Sequence, residues 1–187
     1  MKHLLVITMT VLFLLCGSMY AQTPVGSPLS IDLGFGGGVS LPTGDLSNGS
    51  NTGWHGLAKI RLHGAMPINI VGAGMYSRLP DKVGSESEVY WIGSAGLEYP
   101  IPSAVVKPYF GVDVMYVNVS STGTGSSSAS RGGVGLGAGV EFSLPGFGSF
   151  DTSVKYQMLN VFGKDSNVNE TTVSQVTASV ALMFGVM

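Results

Sequence analysis

Apolar and polar residues alternate with period two along most of the chain, in eight runs separated by turn-rich segments. Such alternation marks strands with one apolar and one polar side. The clearest run is Arg131–Leu144, where Val134, Leu136, Ala138, Val140 and Phe142 alternate with Gly133, Gly135, Gly137, Gly139 and Glu141. The same spacing predicts strands over Leu29–Leu41, Gly53–Ala65, Ile68–Leu79, Glu88–Tyr99, Val106–Asn118, Phe150–Val161 and Thr172–Met187. In Ile68–Leu79 both phases hold apolar residues, and Val71, Ala73 and Met75 are assigned to the apolar face, with Gly72, Gly74 and Tyr76 opposite. The connections alternate too. Those after the second, fourth and sixth strands are short or Pro-rich: Met66-Pro67, Pro100-Ile101-Pro102 and Pro145-Gly146. Those after the odd strands are polar and mostly longer: Pro42–Thr52, Pro80–Ser87, Val119–Ser130 and Phe162–Thr171. Ser120–Ser130 is nearly all Ser, Thr and Gly, the composition of a mobile loop.

The first 21 residues have a different character. Lys2 and His3 make a short basic start, Leu4–Leu15 is an apolar core, and Gly17, Ser18 and Ala21 are small residues near a cleavage point. This is the pattern of a secretory signal peptide. The expected organisation is a signal peptide at 1–21, a short periplasmic segment at 22–28 and a barrel domain at 29–187. Leu15 before Cys16 does not fit a lipidation signal.

Composition decides which way the strands face. Of 187 residues, 28 are Gly, nine are Lys or Arg and eleven are Asp or Glu. A soluble barrel or sandwich needs charge on roughly a quarter or more of its surface, and this chain carries too little. A transmembrane barrel inverts the order, with apolar faces on lipid and polar faces in the lumen. Eight strands leave a lumen that side chains fill. The inward phase holds Lys59, Arg61, Lys107, Arg131 and Lys155 against Asp32, Glu88, Glu98, Asp113, Glu141 and Asp151, a near-balance suited to a tight interior. The fold expected is therefore an all-β, eight-stranded antiparallel up-and-down transmembrane barrel. A polar plug should close it, with Lys59, Arg61, Asp113 and Lys155 at mid-height and Asp32, His63, Glu98, Lys107 and Glu141 lower. Aromatic girdles are expected from Trp54, Trp91 and Tyr116 at the loop end and from Tyr99, Phe142, Phe150 and Phe184 at the turn end. Val180 is expected at mid-membrane and Thr152 near the turn-end interface.

These features resemble the small outer-membrane β-barrel domain of the OmpA- and OmpX-like type. Lys107-Pro-Tyr-Phe-Gly-Val-Asp-Val resembles the Pro-Tyr-x-Gly-x-Gly strand of such domains, with Asp113 in place of the second Gly. The chain ends Met183-Phe184-Gly185-Val186-Met187, so its last aromatic stands three residues earlier than the family's terminal one. The resemblance implies the outer membrane of a Gram-negative bacterium, both termini in the periplasm and four loops outside. The partners it implies are outer-membrane lipids and lipopolysaccharide, the barrel-insertion machinery, periplasmic chaperones and a surface ligand.

Other chemistry finds little support. A net charge of −2 gives no basic surface for nucleic acid. His55 and His63 are eight residues apart on one strand, too far to share a metal. Neither is followed two residues on by the Ser associated with barrel deacylases. The Gly runs lead into no helix, so no nucleotide loop is read from them, and no cofactor, metal or catalytic residue is assigned. The expected function is non-enzymatic and adhesive, through the four loops. A narrow or gated pore is the first alternative and a lipid A-modifying enzyme the second.

Overall fold

The computed structural model describes residues 29–64, 66–84, 86–102, 106–121, 128–144, 146–164 and 171–186. The expected signal peptide, the 22–28 segment and the centre of the Ser/Thr/Gly loop lie outside them. Eight strands follow in order: β1 (Ser30–Gly44), β2 (Gly53–His63), β3 (Asn69–Pro80), β4 (Ser87–Pro100), β5 (Val106–Ser121), β6 (Ser128–Leu144), β7 (Gly148–Phe162) and β8 (Val173–Gly185). A one-turn helix, α1 (Leu46–Gly49), sits between β1 and β2. Each strand pairs antiparallel with its sequence neighbours, and β8 pairs with β1 to close the barrel.

The closure is staggered. Starting at Asp32, register partners run through Arg61, Val71, Gly96, Asp113, Gly135, Gln157 and Gln175. They return to β1 at Pro42, ten residues further along. This shear tilts the strands, so position within a strand is a poor guide to height. Thr152 and Val180, expected at different depths, are direct cross-strand partners and share one.

Faces follow the alternation on seven strands, and β3 is reversed. Val71 is 5% exposed and Met75 9%, whereas Ile70 is 46% exposed. Asn69, Val71, Ala73, Met75, Ser77 and Leu79 face the lumen, and Gly72, Gly74, Tyr76 and Arg78 face out. The physical reason is that the lumen near the loops is apolar, so polarity does not separate the two phases there. The third long loop is also shorter than expected. Asn118, Val119 and Ser120 pair with Ser130, Ala129 and Ser128, extending the β5–β6 hairpin. Between Gly132 and Val134 the β6–β7 register shifts. Next to this irregularity, Asn160 is buried, donates to Thr171 O and accepts from Val173 N, tying down the base of the fourth loop.

Candidate functional site

The inward side chains build two separate closures of the lumen. The lower one is centred on Arg61, which is 1% exposed. Its Nε donates to Glu98 Oε2 at 2.8 Å, its Nη1 to Glu141 Oε2 at 2.5 Å, and its Nη2 to Asp151. Lys59 Nζ lies 2.7 Å from Glu98 Oε1 and 3.0 Å from Asp151 Oδ2. Lys107 reaches Glu141 at 3.5 Å from the rim. The Tyr109 hydroxyl donates to Asp151 Oδ1 at 2.6 Å, and its ring lies under both cations, 5.0 Å from Lys59 Nζ and 5.3 Å from the Arg61 guanidinium carbon. Three cations thus meet three carboxylates, the arrangement in which paired charges offset each other's desolvation.

The glycines of β6 make room for this network. A Cβ at Gly139 would stand 2.4 Å from the Tyr109 ring, one at Gly135 2.2 Å from Asp113 Oδ1, and one at Gly137 2.5 Å from Lys155 Cγ. Across that floor Lys155 Nζ meets Asp113 Oδ2 at 2.5 Å. Lower down, His63 Nε2 lies 2.6 Å from Asp32 Oδ2 and its Nδ1 3.1 Å from Asn69 Oδ1. The nine residues expected in the plug therefore fall into three groups: a central knot of Lys59, Arg61, Glu98, Glu141 and Lys107, a lateral Asp113–Lys155 pair, and a His63–Asp32 pair near the turn end.

Asp151 and Tyr109 belong to the knot but were not assigned to it from sequence. Both lie in the inward phase; the stagger brings Asp151, four residues into β7, level with Lys59 and Arg61. His55 takes no part in the ion pairs. Buried, it bridges Ser40 Oγ at 3.0 Å and Ser179 Oγ at 2.8 Å, while Ser77 donates on to Ser40. Above the knot a cavity of about 50 Å³ is lined by Lys59, Lys155, Asp151, Gln157, Met75 and Ile92 among others. It has room for a few waters.

The upper closure is apolar. Leu46 of α1 turns into the barrel mouth, 8% exposed, and packs in a buried cluster with Met75, Leu79, Tyr90, Ile92, Met115, Val117 and Leu159. The first two loops are tied together above it. Ser50 bridges Asp81, Asn51 N donates to Pro80 O at 2.7 Å, Lys82 N donates to Gly49 O at 2.8 Å, and Lys82 Nζ donates to Ser47 O at 2.5 Å. Ser50 and Tyr90 both donate to Glu88 Oε2 below. The sequence signal was available, since Leu46 is the only large aliphatic side chain in Pro42–Thr52.

On the outer wall, Trp54, Trp91 and Tyr116 stand exposed toward the loop end and Phe142, Phe150 and Phe184 toward the turn end, with Tyr99 half-covered. Tyr76 joins the upper group because of the β3 reversal, packing 5.4 Å from Trp54 and 4.9 Å from Trp91 between ring centroids.

The architecture is shared with solved outer-membrane proteins. Neisserial surface protein A (NspA) superposes with a TM-score of 0.64 at 20% identity, covering 84% of this chain and 100% of that one. The N-terminal β-barrel domain of Pseudomonas aeruginosa OprF gives 0.53 at 13%, covering 83% and 97%. Ail, the attachment invasion locus protein of Yersinia pestis, gives 0.50 at 17% with the same coverage, and one of its structures is a complex with the heparin analogue sucrose octasulfate. At these identities the likeness is one of fold. No curated protein sequence matches the chain at a significant level. The family model for Opacity family porin proteins matches residues 69–184, from the first residue of β3 into the end of β8, and the chain belongs to this family of outer-membrane barrels.

Proposed function

We propose that the protein is an occluded barrel that acts at the cell surface through its loop end rather than through its lumen. The observation that carries this reading is the double closure: a buried ion-pair knot below, an apolar stopper above, and about 50 Å³ between them. In this reading the two closures together keep solutes from crossing the lumen. The tied first and second loops offer a preorganised platform bearing Asp45, Asp81, Lys82 and Glu86. Preorganised loops lose less conformational entropy on binding a partner than free ones. The name of Ail, an attachment protein on the same fold, supports a surface role. In this reading residues 1–21 direct export, both barrel termini lie in the periplasm, and insertion machinery and periplasmic chaperones handle the chain on its way. Lipopolysaccharide surrounds the loop end.

The test pairs planar-bilayer recording with adhesion of cells expressing the protein. Silent bilayers, together with adhesion that is lost when the first two loops are replaced by short turns, are the expected results. Steady single-channel conductance in the unmodified protein sinks the reading. It would favour a gated pore, for which the charged cavity lining of Lys59, Lys155 and Asp151 is the specific support.

A further inference from the structure

The membrane-facing wall is not uniform. On β3, Arg78 lies in the outward phase at the loop end, in register with Trp54 of β2, and its side chain is exposed. Among the described residues it has no ion pair and no side-chain hydrogen bond. One outward step below it, Tyr76 packs between Trp54 and Trp91 to form an aromatic ledge. The next row across the three strands is Ala58, Gly74 and Gly93, which carries almost no side chain.

Those outward glycines are not required by the barrel. A Cβ at Gly56, Gly74 or Gly93 would meet no atom within 4 Å, and none of the three has a positive φ. By contrast, a Cβ at lumen-facing Gly36 or Gly38 would lie 2.0 or 1.9 Å from a backbone oxygen. A strand glycine without an internal reason marks close approach by something from outside. The unpaired guanidinium above it states the chemistry of the occupant. A planar fork of donors matches a phosphate, and the lipid headgroup level is where an outward arginine is tolerated.

We propose that Arg78 and the Trp54–Tyr76–Trp91 ledge bind the phosphate headgroup of an anionic lipid in the loop-side leaflet, with an acyl chain lying on the Gly74–Gly93 surface. The site is on the outer wall, so it is independent of the surface-interaction reading and of whether the lumen conducts.

The chain's two tryptophans are Trp54 and Trp91, so intrinsic fluorescence reports this ledge without a label. The mature protein is refolded into phosphatidylcholine vesicles containing an equal minor fraction of either acyl-brominated phosphatidic acid or acyl-brominated phosphatidylcholine. Quenching by the brominated phosphatidic acid should correspond to about threefold local enrichment, the scale of one exposed charge pair. Arg78→Gln should abolish that excess, Arg78→Lys should retain part of it, and Gly74→Val, which covers the smooth surface, should reduce it. Heat-modifiable migration checks that each variant is folded. Equal quenching by the two lipids, or an excess that survives Arg78→Gln, overturns the proposal. So does tryptophan shielding that ignores lipid type and rises with the protein-to-lipid ratio, which would make the ledge a self-association face.

Discussion

Removing the Arg61 guanidinium tests most directly what holds the lower lumen shut. In the native arrangement Lys59, Arg61 and Lys107 face Glu98, Glu141 and Asp151. Arg61→Ala strands three carboxylates against buried Lys59 and against Lys107, which is partly in solvent and 3.5 Å from its nearest partner. Breaking one side of a buried pair costs about 3–5 kcal/mol, much of it the uncompensated partner. The truncation also opens space beside the existing cavity, where water can reach the carboxylates, so the lower end, about 3 kcal/mol, is expected. Urea unfolding of the refolded protein in vesicles at neutral pH measures it. Arg61→Met combined with Glu98→Gln leaves Lys59 against Asp151 and Lys107 against Glu141 and should recover roughly half of the loss, because residues in one charge network do not add. A loss below about 1 kcal/mol, the worth of an exposed pair, would refute a dry, tightly paired knot. So would a double variant no more stable than Arg61→Ala.

Four further outcomes follow from the geometry. Arg61→Ala alone should leave planar bilayers silent because the Leu46 stopper is separate; conductance should appear only when Leu46→Asp is added, and current through either single variant would show that the remaining closure does not seal the lumen by itself. Val180→Arg and Thr152→Arg, cross-strand partners on the lipid face, should each cost about 2–3 kcal/mol in urea titrations, and a difference above about 1.5 kcal/mol would break the assigned depth. Gly38→Ala drives a Cβ onto Ala178 O and should destabilise by about 1–3 kcal/mol, while Gly74→Ala, with open space, should be neutral or slightly stabilising; the reverse order of unfolding midpoints would contradict the inward assignment of Gly38. Ser120 and Ser128 are paired, so replacing residues 121–127 with Asn-Gly should join them in a two-residue turn and leave refolding intact, as read by heat-modifiable migration.

Strand number, closure and the inward set of charges were legible because lipid and lumen impose opposite polarities on alternate residues. Where that contrast fades, the reading fails. In β3, Ile70 faces lipid while Val71 faces the lumen beside the ion pairs and Met75 and Leu79 face its apolar part, and all four are hydrophobic alike. Gly72, Gly74 and Tyr76 went to the wrong face with them. Asp151 was missed for a different reason. Its phase was right, but with a stagger of ten residues around the barrel a place near the start of β7 does not reveal that it stands level with Lys59 and Arg61. Leu46 stood out as the one large aliphatic residue in a polar loop, yet nothing local says that a loop folds back into the mouth it borders.

The glycines carry this lesson further, because one residue type answers two demands that the sequence writes identically. Gly135, Gly137 and Gly139 alternate with apolar residues, and so do Gly72 and Gly74 with Val71, Ala73 and Met75. On β6 the glycines point inward, and the space a Cβ would need is taken by Asp113, Lys155 and Tyr109, so the knot and its lateral pair depend on them. On β3 they point outward, and Gly74 yields space to nothing in the protein. Period-two glycine therefore reads as a narrow lumen only where the partner phase is lipid-facing beyond doubt, as Val134 and Leu136 make it on β6. Where the partner phase is itself buried, as on β3, the same spelling leaves a smooth place on the membrane-facing wall, and the arginine and aromatics above it become the reason to ask what lies there.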